Sequence, residues 1–179
     1  MTRPHSLSTR ALAALAVSLV LLTGCTADLK PSPSPTPTPL FASKKDAFAA
    51  AEATYRAYND AGNATVLTDA RTFEDVYKWL RADALSSAKK AYSYYDAEGW
   101  RRVGETTFDH FTPISYDGED VTARLCIDVS HVDVLDSTGA SVVSTDRQPR
   151  QALELQLKPA LTSTGLAIVS SDATKELEC

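Results

Sequence analysis

From residue 43 to residue 98 the apolar positions recur at spacings of three and four, and after Gly99 they recur at every second position. The first pattern predicts three helices. Ser43 followed by Asp46 has the form of a capping box with Asp in the acidic place. Phe48, Ala51, Tyr55 and Tyr58 then fall on one face, and Gly62 supplies a stop. A second, short helix starts near Thr72 and carries Val76, Trp79 and Leu80. The third runs from about Ala82 to Glu98, with Leu85, Ala88, Tyr92 and Tyr95 on one side and Gly99 as its end. Each has a single apolar stripe, so each needs a surface to pack on.

The second pattern predicts that surface. Trp100 to Ser115 is β-rich, with Gly104 placed as a bulge, and Asp117-Gly118 marks a turn. From Asp120 to Ser130, Val121, Ala123, Leu125, Ile127 and Val129 share one strand face. Thr122, Arg124, Cys126 and Asp128 share the other. Arg124 and Asp128 on that second face read as a surface charge pair. Val132 to Leu135 continues the strand or follows a bulge, and Asp136 to Gly139 turns the chain. Strands over Ala152–Lys158 and Leu166–Ser170 complete the set, the latter after a Ser163-Thr164-Gly165 turn. Helices followed by an antiparallel meander define an α+β domain over residues 43–179, with three N-terminal helices on one face of a curved antiparallel sheet. Bent strands of that kind leave room for a pocket between sheet and helices.

Ahead of this domain, Arg3 and Arg10 precede an apolar run from Ala11 to Leu22, with no acidic residue before Cys25. The run is shorter than the roughly 20 residues a membrane span needs, and it has the three-part form of an export signal over residues 1–24. Leu21-Leu22-Thr23-Gly24-Cys25 resembles the lipobox of bacterial lipoproteins. That resemblance implies cleavage before Cys25, a lipid on its sulfur and attachment to the extracytoplasmic side of the cell membrane. The alternative is an ordinary cleaved signal beside a chance cysteine. Residues 25–42 hold the anchor and an alternating proline run, Pro31 to Pro39. As polyproline II at about 3.1 Å per residue, those nine residues reach roughly 28 Å and act as a spacer.

Charge narrows the partners. The chain has 18 Lys+Arg and 23 Asp+Glu, and removal of residues 1–24 takes two basic groups and no acid. No basic stripe exists to meet phosphates, so nucleic acid is not expected as a partner. Of the three cysteines, Cys126 and Cys179 remain as an even pair in an oxidising compartment, and a disulfide between them is expected. Two free thiols, with Cys126 buried in a strand, are the alternative.

Three helices before long antiparallel strands resemble the nuclear transport factor 2-like fold, a cone-shaped α+β domain. YDGEDVTARLCIDVSHVDVLDSTGASVVSTDRQPR, residues 116–150, is similar to small actinobacterial lipoproteins of unassigned role. The resemblance implies a curved sheet and often a pocket, with activities ranging from isomerases, dehydratases and cyclases to plain binding modules, so the fold does not select an activity. In the cone, Tyr55, Tyr58, Tyr92, His110 and His131 are the candidate pocket residues. Asp109, His110, Asp128, His131 and Asp133 are the candidate bases. His131 and Asp133 would share a strand face at i, i+2, a spacing suited to orienting an imidazole. No catalytic motif, cofactor motif or metal-ligand spacing accompanies them, so no residue is assigned a catalytic role and neither cofactor nor metal is expected. Three functions follow as expectations. The first is a non-catalytic module binding an envelope protein or a small apolar ligand, the second an isomerase- or dehydratase-like enzyme, and the third a structural protein dimerising through its sheet.

Overall fold

Ser43 opens the first helix as its sequence suggests: its hydroxyl accepts from the Asp46 N–H at 3.1 Å and donates to the Asp46 carboxylate at 2.7 Å. The structure, a computed structural model, describes residues 39–179. Segment 1–24, expected as an export signal, lies outside the described residues, as do Cys25 and nearly all of the proline run. Helix α1 (Lys44–Ala64) passes Gly62 by two residues. A 3-10 turn (Ala70–Thr72) leads into α2 (Glu74–Tyr77), and α3 follows (Ala82–Ala97). No described helix is long and apolar enough to cross a membrane.

Four strands form the main antiparallel sheet in the order β2 (Thr107–Tyr116), β3 (Val121–Asp128), β5 (Arg150–Pro159), β6 (Leu166–Ala173). Val121, Leu125, Leu155, Leu157, Leu166 and Ile168 are fully or almost fully buried against Ala47 and Ala51 of α1, with Val76 and Leu80. Alanines at the α1 contact let the helix axis approach the sheet closely. The fold is thus the expected α+β arrangement, three helices on one face of a curved antiparallel sheet.

Two expectations about the strands change. The β-rich stretch from Trp100 to Ser115 is not one strand: β1 (Arg101–Val103) pairs with β4 (Asp133–Leu135) in a separate two-stranded sheet, and β2 starts at Thr107. Gly104 makes the break, at φ +77, and a Cβ there would lie 1.8 Å from the His131 carbonyl oxygen. Bulging falls instead between Asp109 and Thr112, where His110 takes φ +50. Likewise β4 does not continue β3, because the Ser130-His131 turn separates them.

Two contacts set the geometry of the space under the helices. After α2 the chain runs beside the edge strand β6. Leu80 bridges Ile168, Arg81 N–H donates to the Ile168 carbonyl and Ile168 N–H to the Trp79 carbonyl, both at 2.9 Å. This pairing covers part of an open edge and starts α3 alongside β6. At the other end, Asn59 and Asn63 of α1 donate side-chain amides to the Thr106 carbonyl at 3.0 and 2.8 Å. Arg102 of β1 donates to the carbonyls of Gly62, Asn63 and Thr65. It supplies the cation that the last turn of α1 lacks.

A tyrosine-lined cavity as candidate functional site

Because α3 starts at the β6 edge and α1 is tied to β1, a wedge of space opens between α3, α1 and the sheet. It contains two adjoining cavities that share Tyr58, Tyr92 and Ser171. The first, of about 390 Å³, lies between α3 and β6. Leu80, Ala88 and Ile168 are among its apolar walls, and Tyr95, Asp83 and Asp172 are among its polar ones. The second, of about 240 Å³, reaches toward the end of α1, where Tyr55, Asn59 and Arg102 line it. A larger hollow of about 520 Å³ has only Lys78, Trp79 and the Leu161–Ser163 hairpin tip as walls, and it holds no cluster of polar groups.

Burial sets the state of the tyrosines. It pushes the Tyr58 hydroxyl up to about 12, with the neighbouring Tyr92 and Tyr95 adding to the rise. Tyr55 goes up further for the same first reason, and then because of Tyr58. Tyr92 is also raised by burial, less the effect of the Thr65 hydroxyl and Arg102. All three are neutral donors at physiological pH. Tyr55 is 3% exposed, and no hydrogen-bond partner for its hydroxyl exists among the described residues. Among the described residues, every side-chain polar atom that is wholly closed to solvent does have a partner, so this hydroxyl opens on the cavity that Tyr55 lines. Ring contacts continue outward from the wedge: Tyr92 meets Tyr95 at 6.2 Å, and Tyr95 stacks on Trp100 at 5.6 Å.

Tyr55, Tyr58 and Tyr92 are therefore brought together, whereas His110 and His131 stand elsewhere. His110 projects from the β2 bulge with Nδ1 2.8 Å from Asp109. His131 lies exposed in the turn before β4. The proposed His131–Asp133 face does not form, since a turn residue and the first residue of β4 share no strand. Asp133 instead accepts from the Val134 N–H and the Ser141 hydroxyl. Nor do Arg124 and Asp128 pair with one another. Arg124 binds Glu154 at 2.8 Å, and Asp128 binds Arg150 at 3.2 Å, because β5 runs antiparallel beside β3 and presents opposite charges at those rungs.

Those pairs lie on the sheet face turned away from the helices. There Arg150 also holds Asp109 at 2.7 Å and donates to the Cys179 carbonyl at 2.9 Å. Cys126 and Cys179 are joined by a disulfide, so the C-terminal residues return over this face, with Thr174 N–H donating to the Ala152 carbonyl. Ligand-type atoms of Asp109, His110 and Cys126 lie within 4.8 Å of one another. The Cys126 sulfur is already bonded, and this trio offers no thiolate to a metal.

Periodicity reaches Tyr95 as a neighbour of Tyr92 on α3, but Asp83, Ser171, Asp172 and Arg102 carry no sequence signal of a site. They meet through the pairing of Leu80 with Ile168, which are 88 positions apart.

No family model matches the chain, and no curated protein does. Among solved structures, the intermembrane-space region of the chloroplast protein ARC6 is 12% identical, with 69% of this chain and 92% of that one covered at a TM-score of 0.48. A protein of Catenulispora acidiphila in complex with S-DNPA is 10% identical, covering 73% and 93% at 0.48. Aln2 from a Streptomyces species is 17% identical, covering 73% and 91% at 0.44. These likenesses carry no argument about activity; the architecture stands on the chain's own topology.

Proposed function

We propose that this chain is a non-catalytic binding module, held at the outer side of a bacterial membrane by a lipid on Cys25 and holding a small molecule in the wedge between α3 and β6. The observation that carries the binding part is the set of neutral tyrosine hydroxyls around the two cavities, above all that of Tyr55, which has no partner among the described residues. Because that hydroxyl is open to the cavity and not closed off, it is free to donate to a ligand oxygen. Against an enzyme stands the position of the candidate bases: Asp109, His110, Asp128, His131 and Asp133 all lie outside both cavities. Against a sheet-to-sheet dimer stands the charge of the outer face, which carries Arg124, Glu154, Arg150, Asp109 and Asp128 where such an interface would need an apolar patch. Lipid attachment rests on the lipobox-like residues 21–25.

Native mass spectrometry of the full chain, extracted from a homologous host, tests the binding part. A copurifying molecule of stoichiometric mass, lost when Tyr58 and Tyr92 are both changed to Ala, is the expected result. A clean apo mass, with no small molecule shifting the resonances of Tyr58 or Tyr92, overturns it.

A further inference from the structure

We infer that opening the Cys126–Cys179 disulfide uncovers a zinc site on the outer sheet face, with Cys126, Cys179, His110 and Asp109 as its ligands. Asp109 stands opposite Cys126 in the β2–β3 register. In an unbroken strand the next residue, His110, would point to the other face. The β2 bulge, with His110 at φ +50, brings both side chains to one place instead, and ligand-type atoms of Asp109, His110 and Cys126 lie within 4.8 Å of one another. Cys179 is held there by its bond to Cys126. The His110 ring has Asp109 as its one polar contact among the described residues, through Nδ1 at 2.8 Å, so Nε2 is uncommitted. Two thiolates, an imidazole and a carboxylate make a tetrahedral zinc set.

The tail has fastenings besides the disulfide. Thr174 N–H donates to the Ala152 carbonyl and Arg150 to the Cys179 carbonyl at 2.9 Å, and these keep Cys179 beside Cys126 when the sulfurs part. Arg150 also donates to both Asp109 oxygens, the kind of supporting contact that orients a ligating carboxylate. Charge balances as well, since zinc and Arg150 together match two thiolates and one carboxylate. The reductant is a protein dithiol. Its thiolate attacks the sulfur of exposed Cys179, because Cys126 is wholly buried, and Cys126 leaves as a thiolate. The second thiol of the reductant then resolves the mixed disulfide and frees Cys179. Both electrons come from the dithiol, which ends as a disulfide, and zinc displaces the two thiol protons of Cys126 and Cys179. Disulfide and zinc are thus alternative fastenings of one tail, for oxidising and for reducing conditions.

The test uses the full chain in a neutral maltoside detergent, reduced with a water-soluble phosphine and titrated with zinc chloride by calorimetry, beside the oxidised chain. One zinc per reduced chain is expected and none per oxidised chain, with zinc raising the thermal midpoint of the reduced chain alone. Cobalt(II) in place of zinc should give the visible bands of a tetrahedral ion with thiolate ligands. A chain with Cys126→Ser and Cys179→Ser keeps Cys25 and controls for that thiol; it should not bind. His110→Asn keeps a residue tolerant of positive φ and should weaken zinc binding about tenfold or more, the loss that even a supporting contact brings. An unchanged midpoint of the oxidised variant checks its fold. Zinc binding to the reduced chain no tighter than to the double serine chain, octahedral cobalt bands, or unaltered affinity in His110→Asn overturns the inference.

Discussion

At Gly104 the backbone takes φ +77 and passes so close to the His131 carbonyl that no side chain fits. Gly104→Ala should therefore cost about 2–4 kcal/mol, the left-handed conformation and a backbone clash adding together, read as a lower urea midpoint. A change under about 0.5 kcal/mol would show that the β1–β2 link moves freely away from the turn before β4. Tyr55 gives the opposite case. Its ring is packed edge-on against Phe108 at 4.9 Å, but its hydroxyl bonds to no described residue. Tyr55→Phe should leave unfolding within about 0.5 kcal/mol of the original chain while weakening whatever the wedge holds. A large loss of stability without ligand would mean that the hydroxyl is satisfied within the fold. Both residues stood out in the sequence, Gly104 as an expected bulge where the structure has a break, and Tyr55 on a helical face. The bulge at His110 did not, because nothing local distinguishes a residue pushed into positive φ by the register of a neighbouring strand.

Among the elements, the C-terminal return over the outer sheet face depends on two links, the disulfide and Arg150. Cutting a closed loop of 53 residues should cost about 4 kcal/mol in the chain-entropy account. Chemical reduction and Cys126→Ser should lower the urea midpoint alike. Equal midpoints with and without reductant would mean that the last residues add nothing to the fold. Arg150 gives the same face a pH dependence. Its hydrogen bond is the chief reason the Asp109 carboxyl lies below the usual range, followed by that of His110. Asp128 is lowered first by the Ser130 hydroxyl and N–H, and less by Arg150. An unfolded Asp takes up its proton near pH 4, and these two do so lower, so their stabilisation is present above about pH 4 and is lost as pH falls through the folded values. The thermal midpoint should drop on acidification below about pH 4, and Arg150→Met should flatten that drop. Parallel acid curves for the two chains would remove Arg150 from the account. Alternating residues made the outer face of β3 legible, with Cys126 turned from the apolar side. Partner choice was not legible, because Arg124 and Asp128 look toward β5, whose register is fixed only in the folded sheet.

For the whole molecule, the proposed anchor and the wedge were legible to different degrees for one physical reason. A lipobox is a short linear segment, so the resemblance of residues 21–25 to one is read without any fold. The wedge exists only once the segment after α2 has paired with β6 and Arg102 has capped α1, so sequence spacing reached its tyrosines and missed its carboxylates. The two meet in one consequence. With 18 basic and 23 acidic residues, the chain gains little from an anionic membrane surface, which repels acidic surfaces. The proposed attachment therefore rests on the lipid and not on surface charge, and one acyl chain alone holds a protein only marginally where two hold it stably. Cys25→Ser should therefore leave a chain that keeps its signal segment and lacks the lipid mass. Retention of the Cys25→Ser chain at the membrane, with the same processed mass as the original, would show that the cysteine plays no part in anchoring.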